Sequence, residues 1–314
     1  MADTSFLTNN ALTVKLWDEK LRRGTLKSLF FTKMMGDNAD SIIQVDDKLV
    51  KGKGDTVTIG LRIRSTAAGQ TSSTTGIALE GNEEAMTFYN DSVSLSEYGN
   101  AVKLESELTE QRTAFDLRTE AKSFLQDWAT EKLERLIATS LVTSPSTNRI
   151  LDKSSTACAL ADIQALHRKA KLASVKLRPV TIDGKKYFVM LAHPYAIKGL
   201  LADSNFTTLQ REARERGTNN PLIQGANYIV DGVLIYEYDR DELLLSGNQC
   251  RSLLLGAQAG YVAWSKKPSW HEKLFDYNTK YGAAVKMIMG VKKTVFNSED
   301  YGVIALDNAY TPDA

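Results

Sequence analysis

Few residues of this sequence have the types and spacing that catalysis requires. His271 and Glu272 begin like the zinc-protease motif HExxH, but the position of the second metal-binding histidine is Phe275. The run Gly52 to Asp55 shares only a fragment of the phosphate-binding loop GxxxxGK[ST], and it favours a turn before a strand. The GxSxG motif of serine hydrolases does not occur. These patterns give no specific argument for an enzyme.

Ionisable residues elsewhere also fit structural roles better than chemical ones. The histidines His167, His193 and His271 lack a spacing that suggests a shared metal. The acidic run Glu80 to Glu84 could bind a cation, but without further oxygen ligands a solvated turn or an ionic contact between subunits is favoured. The basic stretch His167 to Arg178 could contact DNA, although a charged helix face is favoured. We therefore predict no catalytic residue, no metal site and no cofactor.

Composition predicts a globular protein whose main ligand is not nucleic acid. The chain has 314 residues, 43% of them hydrophobic, and 39 basic against 38 acidic residues give a formal charge of +1. A protein that binds many phosphates usually has a clear basic excess. Cys158 and Cys250 are too few for a disulfide framework, so reduced thiols in a cytoplasmic setting are expected. Neither a secretion signal nor a membrane span is predicted.

Two alternating segments predict a long hairpin with a mobile end. From Asp55 to Arg64 apolar and polar residues alternate, as in a strand with one covered face. The stretch Ser65 to Gly76 has no large apolar side chain that could offset the entropy of being ordered. Apolar residues return from Met86 to Leu95, which predicts a two-stranded arm of roughly 33 Å. Such a ribbon is marginal in water, so we expect another surface to support it; a disordered loop on a monomer is the alternative.

The remaining patterns mix helices and strands. Residues from about Leu108 to Leu141 predict the longest helix. Its apolar stripe consists of Leu117, Ala121, Phe124, Leu125, Trp128, Leu133, Leu136 and Ile137. Further predicted elements are a helix at Asp162 to Leu172, a buried strand at Tyr187 to Ala192, a helix entered through His193-Pro194, a hairpin turn at Asp231-Gly232, and strands near Ser252 to Leu255, Tyr261 to Trp264, Ala283 to Val291 and Val303 to Leu306. Because helices and strands do not alternate regularly, the predicted fold class is α+β.

Several separated motifs together resemble a known family. They are Gly54 to Ile59, Leu79 to Glu84, Gln111 to Arg118, Leu253 to Ala259, Asp276-Tyr277, Gly290 to Lys293 and Phe296 to Ile304. Their order and spacing resemble the major capsid proteins of tailed bacteriophages, of a podophage type, over nearly the whole chain. The segment Thr143 to Asn227 matches least well.

The resemblance implies the Hong Kong 97 type of capsid fold, with an N-terminal arm, an extended β-hairpin loop, a long spine helix, and peripheral and axial domains. On this basis the predicted domains are the N-terminal arm at residues 1–50, the extended loop at 51–90, the peripheral domain with the spine helix at 91–151, the axial domain at 152–239 and the return to the peripheral domain at 240–314. The candidate contacts between subunits are Arg62, Arg64, Glu80, Glu83, Glu84 and Trp17. Solvated charge is an equally suitable role for each charged one.

The same resemblance implies a structural and non-enzymatic function. The chain is expected to self-assemble into hexamers and pentamers of an icosahedral shell that encloses the phage dsDNA genome, in a virion assembled in the host bacterial cytoplasm. Expected partners are other copies of the chain, a portal protein, a separate scaffolding protein, a decoration protein, and packaged dsDNA through weak non-specific contact; no membrane is expected. An encapsulin-like bacterial compartment shell and a stand-alone enzyme are the alternatives.

Overall fold

A computed structural model describes most of the chain, which divides into two compact units. The described residues are 30–47, 54–62, 80, 83–105, 111–112, 116–173, 175–182, 184–212, 226–239, 244–277 and 279–312. Those of the larger unit lie within Leu29–Tyr98, Lys132–Lys267 and Met287–Ala314, and those of the smaller unit within Gly99–Glu131 and Pro268–Lys286. This division follows different boundaries from the domains predicted above, which stay predictions.

The helices agree with the sequence patterns in most respects. They are Leu117–Val142 (α1), Leu160–Leu172 (α2), Pro194–Ala202 (α3) and Ser204–Glu212 (α4), with single 3-10 turns at Phe31–Met34 and Thr147–Arg149. The long helix and the two helices at Asp162 and Pro194 are thereby confirmed, whereas α4 was not predicted. None of the helices in the described ranges is long and apolar enough to cross a membrane.

One member of the predicted stripe on α1 faces away from the buried side. Ala121, Leu125 and Ile137 are buried, as predicted, but the side chain of Phe124 is 58% exposed. The buried line passes through Ala121, Leu125 and Ala129, which are four residues apart. Phe124 is therefore rotated by about 100° from Leu125 on the helix surface. Its assignment to the core face was wrong.

The strands account for the rest of the regular structure. In chain order they are Met35–Gly36 (β1), Ile43–Asp46 (β2), Thr56–Arg62 (β3), Phe88–Ser94 (β4), Ser96–Lys103 (β5), Ile150–Lys153 (β6), Val180–Ile182 (β7), Lys185–Ala192 (β8), Tyr228–Val230 (β9), Val233–Glu237 (β10), Leu245–Ser246 (β11), Gln249–Leu255 (β12), Gly260–Phe275 (β13), Lys280–Lys293 (β14), Val295–Phe296 (β15), Glu299–Asp300 (β16) and Val303–Ala309 (β17). The mixture of helices and sheets confirms the α+β class.

The main core of the larger unit lies between an eight-stranded mixed sheet and the helices α2, α3 and α4. The strand order is β6-β17-β12-β8-β10-β9, with β11 added to β12 and β7 to β8. Leu166 of α2, Leu200 of α3 and Phe206 of α4 pack with sheet residues such as Leu254 and Ile304, and all five are at most 2% exposed. Burial of large apolar side chains at this level contributes roughly 1.5–3 kcal/mol for each.

Two local motifs in this unit form as the sequence predicts. Asp231 and Gly232 have φ angles of 46° and 77°, and they join β9 to β10 in an antiparallel hairpin. His193 precedes α3, and its Nδ1 accepts a hydrogen bond of 3.2 Å from the backbone N–H of Tyr195. Because Pro194 has no N–H and a fixed φ, it suits the first helical position.

A second sheet has the order β1-β2-β13-β14-β5. Its strands β1 and β2 belong to the last part of the predicted N-terminal arm, residues 1–50. The strand β2 pairs in parallel with β13, with Ile43 opposite Gly260. Ile42 and Phe31 are buried at 2% and 1% exposure, and the ring of Phe30 makes an edge contact with Tyr236. Residues 30–46 are therefore packed within the larger unit of their own chain.

Candidate assembly surface

The predicted extended loop forms an antiparallel hairpin of β3 and β4, called the extended hairpin below. Seven residue pairs connect its strands, from Thr56 opposite Ser94 at one end to Arg62 opposite Phe88 at the other. Its paired length is about 23 Å. Val57, Ile59 and Leu61 are half-buried while the residues between them are exposed, so the predicted alternation is confirmed. The predicted mobile tip, residues 65–76, lies outside the described residues.

A buried carboxylate in the middle of β4, Asp91 opposite Ile59, holds the half of the extended hairpin that runs from this pair to Thr56 and Ser94, called the root below. Asp91 is 9% exposed and accepts a hydrogen bond of 2.5 Å from Lys292 Nζ. Its two oxygens also accept the backbone N–H groups of Ser92 at 2.8 Å and Val295 at 3.0 Å. Lys292 Nζ additionally donates to the carbonyl of Ser92 at 3.0 Å. Because a buried carboxylate needs such donors, this network fixes β4 against the chain that follows β14.

Apolar packing adds to the attachment of the root. Val93 is 1% exposed and packs with Tyr261 and Ala263 of β13, where half-buried Val57 and Ile59 cover the cluster. The hydroxyl of Tyr261 donates to Asp46 Oδ2 at 2.6 Å. Burial raises the pKa of this tyrosine, and the hydrogen bond to the carboxylate raises it further. The root is thus held by a core of its own as well as by ionic contacts.

The other end of the extended hairpin carries uncovered apolar side chains. The exposed fraction is 61% for Phe88 and 73% for Met86. In an antiparallel pair, directly opposite residues share one face of the sheet, and Phe88 lies opposite Arg62, which the alternation of β3 places on the exposed face. This pairing argument could have identified Phe88 from the sequence once the register was known. The sequence pattern alone places both residues only in the second strand of the predicted two-stranded arm.

Four of the six predicted contact residues are among the described residues, and they lie in or next to the strands at this end along the chain. Arg62 is the last residue of β3, and Glu80, Glu83 and Glu84 belong to the segment before β4. All four are exposed. Arg64 and Trp17 are outside the described residues. A role for any of the six in contacts between subunits stays a prediction.

In the smaller unit, cations lie over aromatic rings. Arg118 lies 4.7 Å from the centre of the Tyr281 ring. Two lysines lie over the ring of Phe275, with Lys103 Nζ at 4.8 Å and Lys273 Nζ at 5.0 Å from its centre. Each such contact is worth about 0.5–1 kcal/mol at an exposed site. Long charged side chains thus cover apolar rings that a larger core would otherwise bury.

Charged side chains bond backbone groups at the start of α1 and just after its end. In the smaller unit, Asp116 accepts the backbone N–H of Thr119 at 3.4 Å and its hydroxyl at 2.5 Å. These hydrogen bonds hold the pKa of Asp116 below its ordinary value. In the larger unit, Lys293 Nζ donates to the carbonyls of Thr143 at 2.8 Å and Ser144 at 2.6 Å, and lies 3.0 Å from buried Asp300. Capping of this kind is favourable because terminal N–H and C=O groups have no partners inside the helix.

Two of the histidines have hydrogen-bonding or ionic partners within the chain, and both cysteines are buried. His167 Nδ1 lies 3.3 Å from Asp231, and His271 Nε2 lies 3.0 Å from the hydroxyl of Ser269 on strand β13. Burial raises the pKa of the Cys158 thiol to about 12 and that of Cys250 to about 11, so neither is a ready nucleophile. Within the described ranges, no group of three or more His, Cys, Asp or Glu residues could hold a metal ion.

Comparison with known proteins identifies the family. A family model described as "Phage capsid protein" matches residues 5–144 and 138–311. The chain belongs to this phage capsid protein family. Its function is to form the capsid shell of a phage, which confirms the interpretation drawn from the separated motifs.

Individual phage proteins are similar over almost the entire length. The major capsid protein of Pseudomonas phage KPP25 is 29% identical over 362 aligned positions, which cover 95% of each protein. The capsid of cyanophage Pam1 superposes with a TM-score of 0.84 at 24% identity, and that of Ralstonia phage GP4 with 0.83 at 21%, each with 100% of both chains covered. The Hong Kong 97 type of capsid fold is thereby confirmed.

The alternative shell class is a more distant neighbour. An encapsulin of Synechococcus elongatus superposes with a TM-score of 0.59 at 13% identity over 95% of this chain. Both classes share the fold, but the capsids of cyanophage Pam1 and Ralstonia phage GP4 are closer in structure and sequence than this encapsulin. The phage capsid interpretation is therefore favoured over the encapsulin-like one.

Proposed function

We propose that the chain assembles into hexamers and pentamers of an icosahedral shell around phage dsDNA, and that the extended hairpin makes a contact between neighbouring copies. The observation that carries this proposal is the contrast between its two ends. The root is fixed by Asp91 and a small core, while Met86 and Phe88 near the other end are uncovered. Apolar area of this kind gains about 25 cal/mol per Å² when a partner removes it from water.

The fixed root matters for the free energy of association. Ordering a segment during binding costs conformational entropy, and this cost is smaller when the segment is already held in one direction. Arg62, Arg64, Glu80, Glu83 and Glu84 would then surround the apolar contact and set its register through charge complementarity. Trp17 would contribute an aromatic contact from the N-terminal arm.

The remaining expectations form part of the same proposal. The chain acts without enzymatic activity, in virions assembled in the host bacterial cytoplasm, with a portal protein, a separate scaffolding protein and a decoration protein as partners. Contact with packaged dsDNA is weak and non-specific, in keeping with the net charge of +1. Two cations of the basic stretch already have protein partners, since Lys169 donates to the carbonyl of Ile150 and Arg178 pairs with Asp40. Residues 152–239 are proposed as the axial domain.

Deletion of Ser65 to Gly76 tests the role of the extended hairpin. The shortened subunit should remain folded and soluble, since the root contacts all lie outside the deletion, but closure of shells should be impaired. Negative-stain electron microscopy and sedimentation of the purified protein measure this. Normal closed shells from the deletion variant would contradict the proposal.

A point substitution gives a sharper test of the apolar end. Phe88→Ser should leave the unfolding midpoint of the subunit nearly unchanged, because this side chain is mostly exposed, and should lower particle yield. Phe88→Leu is the matched control, since it keeps an apolar side chain and should keep most of the yield. Equal yields from the serine and leucine variants would show that the apolar character of this position is irrelevant to assembly.

A further inference from the structure

The hairpin of β13 and β14 ends in a turn with an unusual backbone. Asp276 and Tyr277, both in the smaller unit, each have a φ of 51°. Asp is one of the residues that tolerate this left-handed region, but a bulky aromatic residue there is an outlier. A left-handed L-residue shifts the folding equilibrium against the folded state by roughly fivefold or more. The left-handed backbone at Tyr277 therefore lowers the stability of the folded subunit.

Burial of the Tyr277 side chain does not offset this cost within the subunit. Its side chain is 101% exposed, which is the exposure of a residue with no covering neighbour. Leu274, at the same end of the strand, is 48% exposed. A tyrosine that only filled a turn could be replaced by Asn or Gly, both of which adopt positive φ more readily. Neither packing nor backbone preference explains why an aromatic residue stands there.

The rest of the turn keeps Tyr277 in this conformation. Thr279 donates its backbone N–H at 3.0 Å and its hydroxyl at 2.6 Å to the carbonyl of Asp276. Lys280 Nζ lies 2.8 Å from Asp276 Oδ2, and this contact lowers the pKa of the carboxyl. Phe275, just before the turn, has Lys103 and Lys273 over its ring at 4.8 Å and 5.0 Å. The contacts of Asp276 with Thr279 and Lys280 restrict the backbone beside Tyr277 in the isolated subunit, which reduces the entropy cost of contact.

We propose that Tyr277 is an anchor residue that packs against another copy of this chain in the assembled shell. Exposed, pre-ordered tyrosines are typical of the few residues that dominate the binding energy of an interface. The strain is present in every subunit, so the partner that offsets it must be available to every subunit. Other copies of the chain meet this requirement. The inference rests on the proposed shell-forming function and adds a contact distinct from the extended hairpin.

Three substitutions test the anchor in the purified full-length chain. Tyr277→Asn removes the ring and relieves the backbone, so the unfolding equilibrium constant of the subunit should fall about fivefold. The same variant should raise the concentration needed for particle formation about tenfold or more. Tyr277→Phe should resemble the unsubstituted chain in both measurements. Urea unfolding of dilute subunits and light scattering with negative-stain imaging provide the two readouts.

A second strained turn offers a matched control. Asn297 and Ser298, between β15 and β16, have φ angles of 51° and 61° and are exposed, but they present no aromatic ring. Ser298→Asn should stabilise the subunit in the same direction as Tyr277→Asn and leave particle formation unchanged. A variant that is more stable yet assembles less well is the signature of an anchor, because relief of backbone strain alone, as in Ser298→Asn, should not lower particle formation.

Two results would overturn the inference while leaving the shell function intact. One is normal particle formation by Tyr277→Asn under conditions in which the unsubstituted chain assembles. The other is a defect that occurs only when other virion proteins are added, since the partner would then not be a second copy. Absence of particles from the unsubstituted chain would instead contradict the proposed function itself.

Discussion

Replacement of Gly290 by alanine tests whether close contact at the root orients the extended hairpin. This residue of β14 has no positive φ, so its backbone does not require glycine. Space is the constraint: a Cβ atom there would lie 2.5 Å from the carbonyl oxygen of Ser94 and 2.8 Å from Cγ1 of Val93. Both neighbours belong to β4, which Asp91 also holds through Lys292.

The size of the effect follows from these distances. An ordinary carbon–oxygen contact is about 3.3 Å, so the added methyl group must displace β4 or β14 by about 0.8 Å. Insertion of a methyl group into a packed site costs about 1–3 kcal/mol. We expect the upper part of this range for Gly290→Ala, because Val93 is 1% exposed and the Ser94 carbonyl belongs to a paired strand. The bonds of Asp91 would be lengthened by the same movement.

A glycine of the same hairpin is the control. Gly60 lies in β3, and an added Cβ would meet nothing within 4 Å. Gly60→Ala should therefore change the free energy of unfolding by no more than about 0.5 kcal/mol. Urea unfolding of both variants measures stability, and negative-stain imaging measures the fraction of closed shells. Gly290→Ala should lower both quantities, and Gly60→Ala neither.

The reasoning would be refuted by equal behaviour of the two variants. If Gly290→Ala unfolded at the same urea concentration as Gly60→Ala, the approach of β14 to β4 would not be a real constraint. If it lost stability but formed normal shells, the direction of the extended hairpin would not control assembly, and the root would have only a structural role.

Three further predictions concern groups away from the extended hairpin. Lys293→Met leaves buried Asp300 without its cation and should lower the free energy of unfolding by about 3–5 kcal/mol in urea unfolding, with partial recovery in the double variant Lys293→Met/Asp300→Asn. The pKa of Asp116 is lowered from 3.8 in the folded state. Its contribution to stability is therefore complete above about pH 5 and is lost as the pH falls through the folded-state pKa. The thermal midpoints of the unsubstituted chain and of Asp116→Asn should differ near neutral pH and converge at low pH. A thiol reagent at about pH 8 should label Cys158 and Cys250 only after unfolding, because both thiols are buried with raised pKa values.

Local sequence signals predicted the elements that depend on neighbours along the chain. The turn at Asp231 and Gly232 and the start of α3 at Pro194 depend on residue types within a few positions, and both form as expected. The alternation in β3 likewise reports a face covered along its whole length. For the turn and the helix start the physical cause lies inside the segment itself, whereas the covered face of β3 packs against Val93, Tyr261 and Ala263.

Pairings between distant segments were not predictable in the same way. The outer part of β13, residues 265–275, contains Pro268 and many charged residues, and its pattern does not indicate a strand. It is a strand because β14 provides its partner. The parallel pairing of β2 with β13 joins residues more than 200 positions apart, and no local pattern encodes it. Such contacts depend on the whole fold.

Stability and assembly can be separated because different residues serve them. Asp91, Val93 and Gly290 act inside the subunit, where their substitution lowers stability and thereby disturbs whatever the extended hairpin contacts. Phe88 and Tyr277 are mostly or fully exposed, so the isolated subunit loses little with them. A substitution that lowers assembly without lowering stability therefore identifies a contact residue, and one that lowers both identifies a residue that positions the contact. An interface made of copies of one chain requires both kinds of residue, because a contact side chain is effective only when every copy presents it in the same direction.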